Sequence, residues 1–250
     1  MNDAPRCPDL HRDGPRRSLR GLLVLAAASA LVLAALGSWQ VQRLGWKEAL
    51  IAERQASLAA APILLETLAD TIPAWRRLRL NGTLLYDKSL LVGPRSYRGL
   101  PHWRLVTPLR LVGGGVVLVD RGWVPDLGKD AALAGVLKPV GPVALEGILR
   151  RPTPTGYFSP VNVPNADSWF RVDPEAMASR LGLAGVAPFW VVAHAEAGAK
   201  RVAGTYPVAD TAVSMPSNNH LHYAITWFGL ALASLVVAGF YWRHERRSTS

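Results

Sequence analysis

Two histidines, His220 and His222, are the residues whose type and position most strongly indicate chemistry. They directly precede a long apolar run, and a neutral imidazole beside an apolar helix is suitable as an axial ligand to a b-type or a-type haem. Two alternatives stay open. His220 caps a helix or binds a lipid headgroup, with Asn218 or Asn219 as the N-cap, or the two histidines bind copper, although no Cys or Met cluster supports such a site.

The sequence carries few other motifs for chemistry. It contains no GxSxG, no HExxH and no Gly-rich phosphate loop. Its single cysteine, Cys7, excludes a CxxCH haem attachment site. The pairs Arg76-Arg77 and Arg150-Arg151 are of a type that binds carboxylates or lipid phosphates, with solvated strand residues as the default interpretation. The net charge of +10 is spread along the chain without a nucleic-acid-binding motif, so no nucleic-acid partner is predicted.

Two apolar runs must position the histidines. The chain has 250 residues, of which 50% are hydrophobic and only 18% are charged. No charged side chain occurs in residues 21–42, and a second apolar run covers residues 223–242. A helix over the second run is about 30 Å long, which matches the hydrocarbon core of a bilayer. The sequence therefore predicts a membrane protein with two transmembrane helices.

Arginines flank both runs on their outer sides, and by the positive-inside rule both tails then face the cytoplasm. These residues are Arg12, Arg16, Arg17, Arg20, Arg243, Arg246 and Arg247. The predicted organisation is a cytoplasmic basic tail over 1–20, transmembrane helix 1 over 21–42, a periplasmic β-rich domain over 43–222, transmembrane helix 2 over 223–242 and a second cytoplasmic basic tail over 243–250.

The first apolar run has one alternative interpretation, a cleaved signal peptide, because it follows a basic leader. Against cleavage, its apolar core is longer than a usual signal sequence, and helical spacing continues through residues 39–50 without a turn signal. We therefore expect the helix to be retained and to continue out of the membrane. Acidic residues in the leader argue against a mitochondrial transit peptide, so a bacterial inner membrane is the predicted location.

The segment between the runs is predicted to be a mainly antiparallel, roughly six-stranded α+β domain. Residues 75–85 and 89–92 are expected to pair as a hairpin around residues 86–88, and residues 104–111 and 116–119 as a hairpin around the triple glycine at 113–115. Further strands are predicted over 143–150 and 189–193. Helices are predicted over 47–60 and over 174–181, the second with Asp173 as its N-cap.

Several short motifs follow one another along almost the whole chain. The most specific are LGSWQVQRLGWK at 36–47, VDRGWVP at 119–125 and NNHLHYAITWF at 218–228. Weaker ones are WRRL at 75–78, followed by Gly82, then VTPL at 106–109, EGILR at 146–150 and the segment 165–173. In this order, between two apolar runs, they resemble the surfeit locus protein 1 family. Two positions depart from the family's pattern: Trp75 stands where Tyr is usual, and Asp120 where Asn is usual.

The resemblance implies two transmembrane helices that enclose a periplasmic or intermembrane-space domain. It also implies a role in inserting or retaining haem a in the catalytic subunit of haem-copper cytochrome c oxidase, with no turnover chemistry. The family's haem-ligand histidine corresponds to His220, and His222 lies at a variable position and competes with it. From their positions, Trp227 and Phe228 are interpreted as packing on the porphyrin and Arg43 as pairing with a haem propionate.

The predicted function is therefore that of a non-enzymatic assembly factor, with the oxidase catalytic subunit, the haem a synthesis machinery and the lipid bilayer as partners. One alternative is a cofactor-free membrane scaffold that stabilises oxidase subunits, in which helix faces matter and His220 does not. Another is a tethered periplasmic hydrolase, which only the size of the domain supports.

Overall fold

Seven strands and four α-helices make up the part of the chain that the structure describes. This computed structural model describes residues 15–68, 71–154, 156–157, 159–196, 206–210 and 215–248. The elements in chain order are α1 (Pro15–Ala59), β1 (Ile63–Leu65), β2 (Arg77–Leu84), β3 (Leu90–Tyr97), β4 (Leu100–Leu111), β5 (Val116–Pro125), α2 (Lys129–Ala134), β6 (Val143–Arg150), α3 (Pro174–Leu181), β7 (Val186–Glu196) and α4 (His220–Ser248). Cys7, Arg12 and most of the predicted 1–20 tail lie outside the described residues.

The chain divides into two units. The helical unit consists of Met1–Ile51 with Pro216–Ser250, and the β unit consists of Ala52–Met215. In the first unit α1 and α4 run antiparallel, since Ala26 lies near Ser234 and Gln40 near His220. The less exposed positions of both helices alternate at intervals of three and four residues, which is the spacing of a left-handed helix pair. These positions are Leu23, Ala26, Ala30, Leu33, Gly37, Gln40 and Leu44 on α1, and His220, Ala224, Trp227, Ala231, Ser234 and Ala238 on α4.

Both helices are long and apolar enough to cross a membrane. As predicted, α1 does not end with the apolar run but continues as one helix to Ala59. Membrane insertion, and the start and end of each span, stay predictions, because length and composition alone select these helices.

The second unit is built on a sheet that closes on itself. Its strand order is β1-β2-β6-β7-β5-β4-β3, and a further pairing joins β2 to β4. Strands β2, β6, β7, β5 and β4 therefore form a closed ring, with β1 and β3 paired to its outer edges. The ring encloses an apolar core because every second residue of its strands points inward. That core includes Leu78, Leu80, Leu109, Val117, Val119, Leu145, Leu149, Phe189 and Val191.

The prediction of a mainly antiparallel domain is confirmed in outline, but the sheet is mixed. Strands β1 and β2 pair in parallel, and so do β5 and β7. The predicted hairpin of residues 75–85 with 89–92 is wrong, because one edge of β2 is paired with β6 and the other with β1 and β4. Strand β3 pairs with β4 instead. The predictions also omitted β1 and α2, whose segments are too short for a clear periodic pattern.

Other local predictions are confirmed. Strands β4 and β5 form the hairpin around the triple glycine, and β6 has the predicted bounds. Helix α3 begins at Pro174, and the Asp173 carboxylate accepts a hydrogen bond of 3.2 Å from the backbone N–H of Ala176. Gly182 ends this helix in the left-handed conformation. These features depend on neighbouring residues only, and the sequence therefore predicts them well.

Gly122 is required by the backbone of β5. Its φ is +125°, and a Cβ atom there would lie 2.1 Å from the carbonyl oxygen of Val208. Val208 approaches so closely because it exchanges two backbone hydrogen bonds with Trp123, of 2.7 and 2.8 Å. A bulge at Arg121 supports this geometry, since Leu105 pairs with Gly122 and Val106 pairs with Asp120.

We expect Gly122→Ala to lower the free energy of unfolding by roughly 2–4 kcal/mol, because backbone strain and a clash with Val208 combine. Gly182→Ala is the matched control, since Gly182 also has a positive φ, in the left-handed helical region, but has open space around its Cβ position. Its expected cost is about 1 kcal/mol. Urea unfolding of the purified chain, followed by tryptophan fluorescence, measures the free energy of unfolding of both variants. An equal loss of stability in the two variants would contradict the clash.

Candidate functional site

His220 is the first residue of α4, and its ring is held by a side chain of α1. The Nδ1 atom of His220 lies 2.8 Å from Oε1 of Gln40. A carbonyl oxygen can only accept a hydrogen bond, so Nδ1 carries the proton and donates it. In a neutral imidazole with this tautomer, the other ring nitrogen, Nε2, carries the lone pair. This is the arrangement of a histidine ligand whose tautomer is fixed by a second hydrogen bond.

The neighbouring polar residues of His220 have different surroundings. The side chain of His222 is exposed, and its ring contacts Tyr223 edge-on at 6.2 Å between centroids. The Asn218 side-chain oxygen has no hydrogen-bond partner among the described residues, so the cap proposed for Asn218 is not formed. Asn219 accepts from the backbone N–H of Tyr223 through its own backbone carbonyl.

Trp227 and Phe228 lie two turns further along α4. Trp227 is half-buried and shares the face of His220, from which it is displaced by about 10 Å along the helix axis. Phe228 is 41% exposed, and its ring covers Gly37, where a Cβ atom would lie 2.8 Å from the ring carbon Cζ. The structure therefore brings His220, Trp227 and Phe228 onto the part of α4 that faces or flanks α1.

Arg43 is placed differently. Its guanidinium lies 4.7 Å from the ring centroid of Trp46 and 6.0 Å from that of Trp39, both on α1 itself. Sequence reasoning omitted Gln40, which lies one turn before Arg43. The signal that identifies Gln40 is its place in the three-and-four spacing of the α1 face, as a polar residue in an otherwise apolar series.

A second polar cluster lies in the β unit around Asp120 of the VDRGWVP motif. The Arg104 guanidinium donates to Asp120, with Nε 2.8 Å and Nη2 2.5 Å from Oδ2, and it also donates to Asp210. Burial disfavours a charged guanidinium, but the charges and hydrogen bonds of the two carboxylates outweigh it and raise the pKa of Arg104. The same guanidinium covers the ring of Trp123 at 4.6 Å. This cluster fastens the segment around Asp210 to the sheet.

Residues for other chemistry are not assembled in the described part of the chain. There, no three His, Cys, Asp or Glu side chains are grouped so that they could hold a metal ion. His220 therefore offers one imidazole nitrogen without a protein-derived set of further ligands. One imidazole nitrogen would suffice to hold an iron whose other ligands come from a porphyrin.

Comparisons with known proteins agree with the motif order. The family model described as the SURF1 family matches residues 27–232. The chain belongs to the SURF1 family. A SURF1-like protein from Monosiga brevicollis is 31% identical over 230 residues, covering 87% of this chain and 86% of the relative. Surfeit locus protein 1 of Mus musculus is 32% identical over 237 residues (86% and 73%), and a SURF1-like protein from Rickettsia felis is 28% identical over 215 residues (85% and 93%).

The SURF1 match includes most of α1, the whole β unit and the beginning of α4. It therefore covers both His220 and Gln40. The resemblance that the motifs indicated is confirmed over the same region.

Close packing at Gly37 generates a prediction about the helix pair. The Ser234 hydroxyl lies 3.4 Å from the backbone carbonyl oxygen of Ala26. Cysteines that replace these two residues should therefore form a disulfide on oxidation in a Cys7→Ser background. We expect Gly37→Leu to slow this cross-link several-fold, because the larger side chain meets the ring of Phe228. The readout is the rate of mobility shift on a non-reducing gel.

Two further variants control this prediction. Gly45→Leu should leave the rate unchanged, because nothing lies within 4 Å of a Cβ atom at Gly45. Adding Phe228→Ala to Gly37→Leu should restore much of the rate. Equal rates for all variants would show that Gly37 does not set the helix contact.

Proposed function

We propose that this SURF1-family chain is a non-enzymatic assembly factor of haem-copper cytochrome c oxidase that aids the insertion of haem a into the catalytic subunit or its retention there. The role in oxidase assembly is supported by membership of the family. The observation that carries the haem part is the hydrogen bond from His220 to Gln40, which leaves Nε2 as a free electron-pair donor. Haem a is the cargo in this proposal, and we assign no catalytic residue.

The proposal places α1 and α4 across a bacterial inner membrane, with both ends of the chain in the cytoplasm. Large apolar side chains on the outer faces of both helices support it, among them Leu31, Leu232, Val237 and Phe240, which are more than half exposed. Water is a poor solvent for such surfaces and lipid is a good one. Arg243, Arg246 and Arg247 follow the second apolar run, and relatives occur in the bacterium Rickettsia.

The residues around His220 fit a porphyrin in the chemistry they offer. Nε2 of His220 would hold the iron, and bound haem a would supply the redox-active iron that the oxidase later uses. Trp227 and Phe228 supply aromatic surface for the porphyrin ring. Arg43 supplies a guanidinium for a propionate, and to do so it would exchange part of its contact with Trp46.

A second candidate function is a cofactor-free scaffold that binds oxidase subunits through its helices. The same hydrogen bond favours it in a different way. A polar contact between two apolar helices stabilises and aligns the pair by itself, so His220 and Gln40 have a structural role even without haem. The two candidates differ in whether Nε2 of His220 is used.

The test is a reduced-minus-oxidised spectrum of the full chain, co-expressed with haem a synthesis enzymes and purified in detergent. We expect a haem a signal that His220→Ala abolishes and that His222→Ala, the matched control, retains. Gln40→Leu should lower the affinity for haem a about tenfold, since it removes the group that orients the ligand. Signal kept in His220→Ala and lost in His222→Ala would exclude His220 as the ligand.

Oxidase activity in membranes separates the two candidate functions. If the chain carries haem a, His220→Ala lowers the amount of active oxidase and His222→Ala does not. Absence of haem a from the wild type, together with normal oxidase in His220→Ala and reduced oxidase in Gly37→Leu, would favour the scaffold.

A further inference from the structure

A cavity of about 630 Å³ opens on the outer face of the closed ring, where β5, β7 and β6 lie side by side. Its floor is formed by residues that face each other across strands: Ile148 beside Val192 and Arg150 beside Trp190. These side chains alternate with those of the apolar core and so point away from it. Four prolines contribute to the walls: Pro152, Pro154, Pro174 and Pro188. The volume is that of a site for a small organic molecule.

Five arginines and four acidic residues line this cavity, and most of the arginines already have a partner. Arg104 is paired with Asp120 and Asp210, and Arg171 lies 3.9 Å from a carboxylate oxygen of Asp173. Two others donate to backbone carbonyls: Arg95 to that of Phe170 and Arg151 to that of Ile72, each at 2.9 Å. The cavity therefore keeps most of its guanidinium groups in fixed positions.

Arg150 is the exception. It has neither a hydrogen bond nor an ion pair with any of the described residues, and its guanidinium lies 3.8 Å from the ring centroid of Trp75. Burial lowers the pKa of Arg150 below its ordinary value, and the charges of Arg54 and Arg104 add to this effect, while the charges of Asp120 and Asp210 partly offset it. A half-buried guanidinium without an ion pair is stabilised by an anion that reaches it.

Two more lining residues carry a buried polar atom. Nε1 of Trp123 and Nε2 of His194 have no hydrogen-bond partner among the described residues. Trp123 is only 9% exposed, so water does not readily replace the missing acceptor. His194 is the extra residue of a bulge, since Ala193 pairs with Gly147 and Ala195 with Glu146, and bulges commonly redirect a side chain next to a binding site.

Arg150, Trp123 and His194 can each donate a hydrogen bond at this cavity, which is also lined by the carboxylates of Asp120, Asp173, Glu175 and Asp210. Burial lowers the pKa of His194, so its imidazole is neutral at neutral pH and offers one N–H donor. The Trp123 indole is a donor only, and the Arg150 guanidinium presents several N–H groups in a planar fork. Beside these donors, Ile148, Trp190 and Val192 offer apolar surface.

From this arrangement we infer that the cavity binds a small amphipathic organic anion, with its carboxylate or other oxyanion on Arg150 and its apolar body against Trp190 and Ile148. This site belongs to the β unit, and it is additional to the role proposed for His220. A planar carboxylate matches the guanidinium fork through two parallel hydrogen bonds. Inorganic oxyanions share the charge but have no apolar body.

The test is calorimetric titration of the full chain in lipid nanodiscs with naphthalene-2-carboxylate, with empty nanodiscs as the blank. We expect saturable binding that Arg150→Gln weakens at least about tenfold, because it removes a charge-assisted hydrogen-bonded pair. Arg110→Gln is the matched control, since Arg110 is an exposed arginine of β4 outside the cavity, and it should bind like the wild type.

Two ligand comparisons on the wild type keep the test independent of how the variants fold. Naphthalene-2-methanol, which lacks the charge, should bind at least about tenfold more weakly than the carboxylate. Inorganic phosphate should compete only weakly. No binding above the blank, an unchanged affinity in Arg150→Gln, or equal affinity for the alcohol would overturn the proposal. Tight phosphate binding without naphthalene-2-carboxylate binding would overturn the amphipathic part and identify a simple oxyanion site.

Discussion

The β unit depends on the short pairing that closes its sheet. Three residues of β2, Gly82 to Leu84, pair with Leu109 to Leu111 at the end of β4. Closure at this point requires glycine, because a Cβ atom at Gly82 would lie 2.1 Å from the carbonyl oxygen of Arg110. Once closed, the ring leaves few free backbone edges and encloses a core of leucine and valine.

The apolar core inside the ring determines where the polar side chains of its strands lie. Leucines, valines and Phe189 occupy the inside of the ring, and Arg104, Asp120 and Arg150 of the same strands lie on its outer face. There the bulge at Arg121 turns Asp120 toward Arg104, and Asp210 completes the cluster. Asp120 therefore supplies a carboxylate that pairs with the Arg104 guanidinium. The neighbouring strands β6 and β7 add Arg150 and His194 to the same face.

For the helical unit, the proposed placement in a membrane brings a different physical rule. Helices that pack in lipid gain little from burying apolar surface, so small residues and polar contacts set how closely they approach. Ala30, Gly37, Ala224 and Ala231 supply the small residues. Gln40 and His220 supply the polar contact. The same histidine that aligns the helices thus presents its second nitrogen for a ligand, which links the packing of the pair to its proposed chemistry.

The sequence by itself determined the two apolar helices, the capped helix α3, the hairpin of β4 and β5, and the SURF1 family, since each depends on residues close together or on motifs in a fixed order. It predicted His220 as a candidate ligand but not its partner. Only the tertiary structure decided that β2 pairs with β4 and β6 rather than β3, and that Arg150 lies beside Trp190. It alone brought Gln40 to His220, 180 residues away. The physical reason is that periodicity and composition specify which face of an element is apolar, whereas the choice of a distant partner depends on how all the elements pack together.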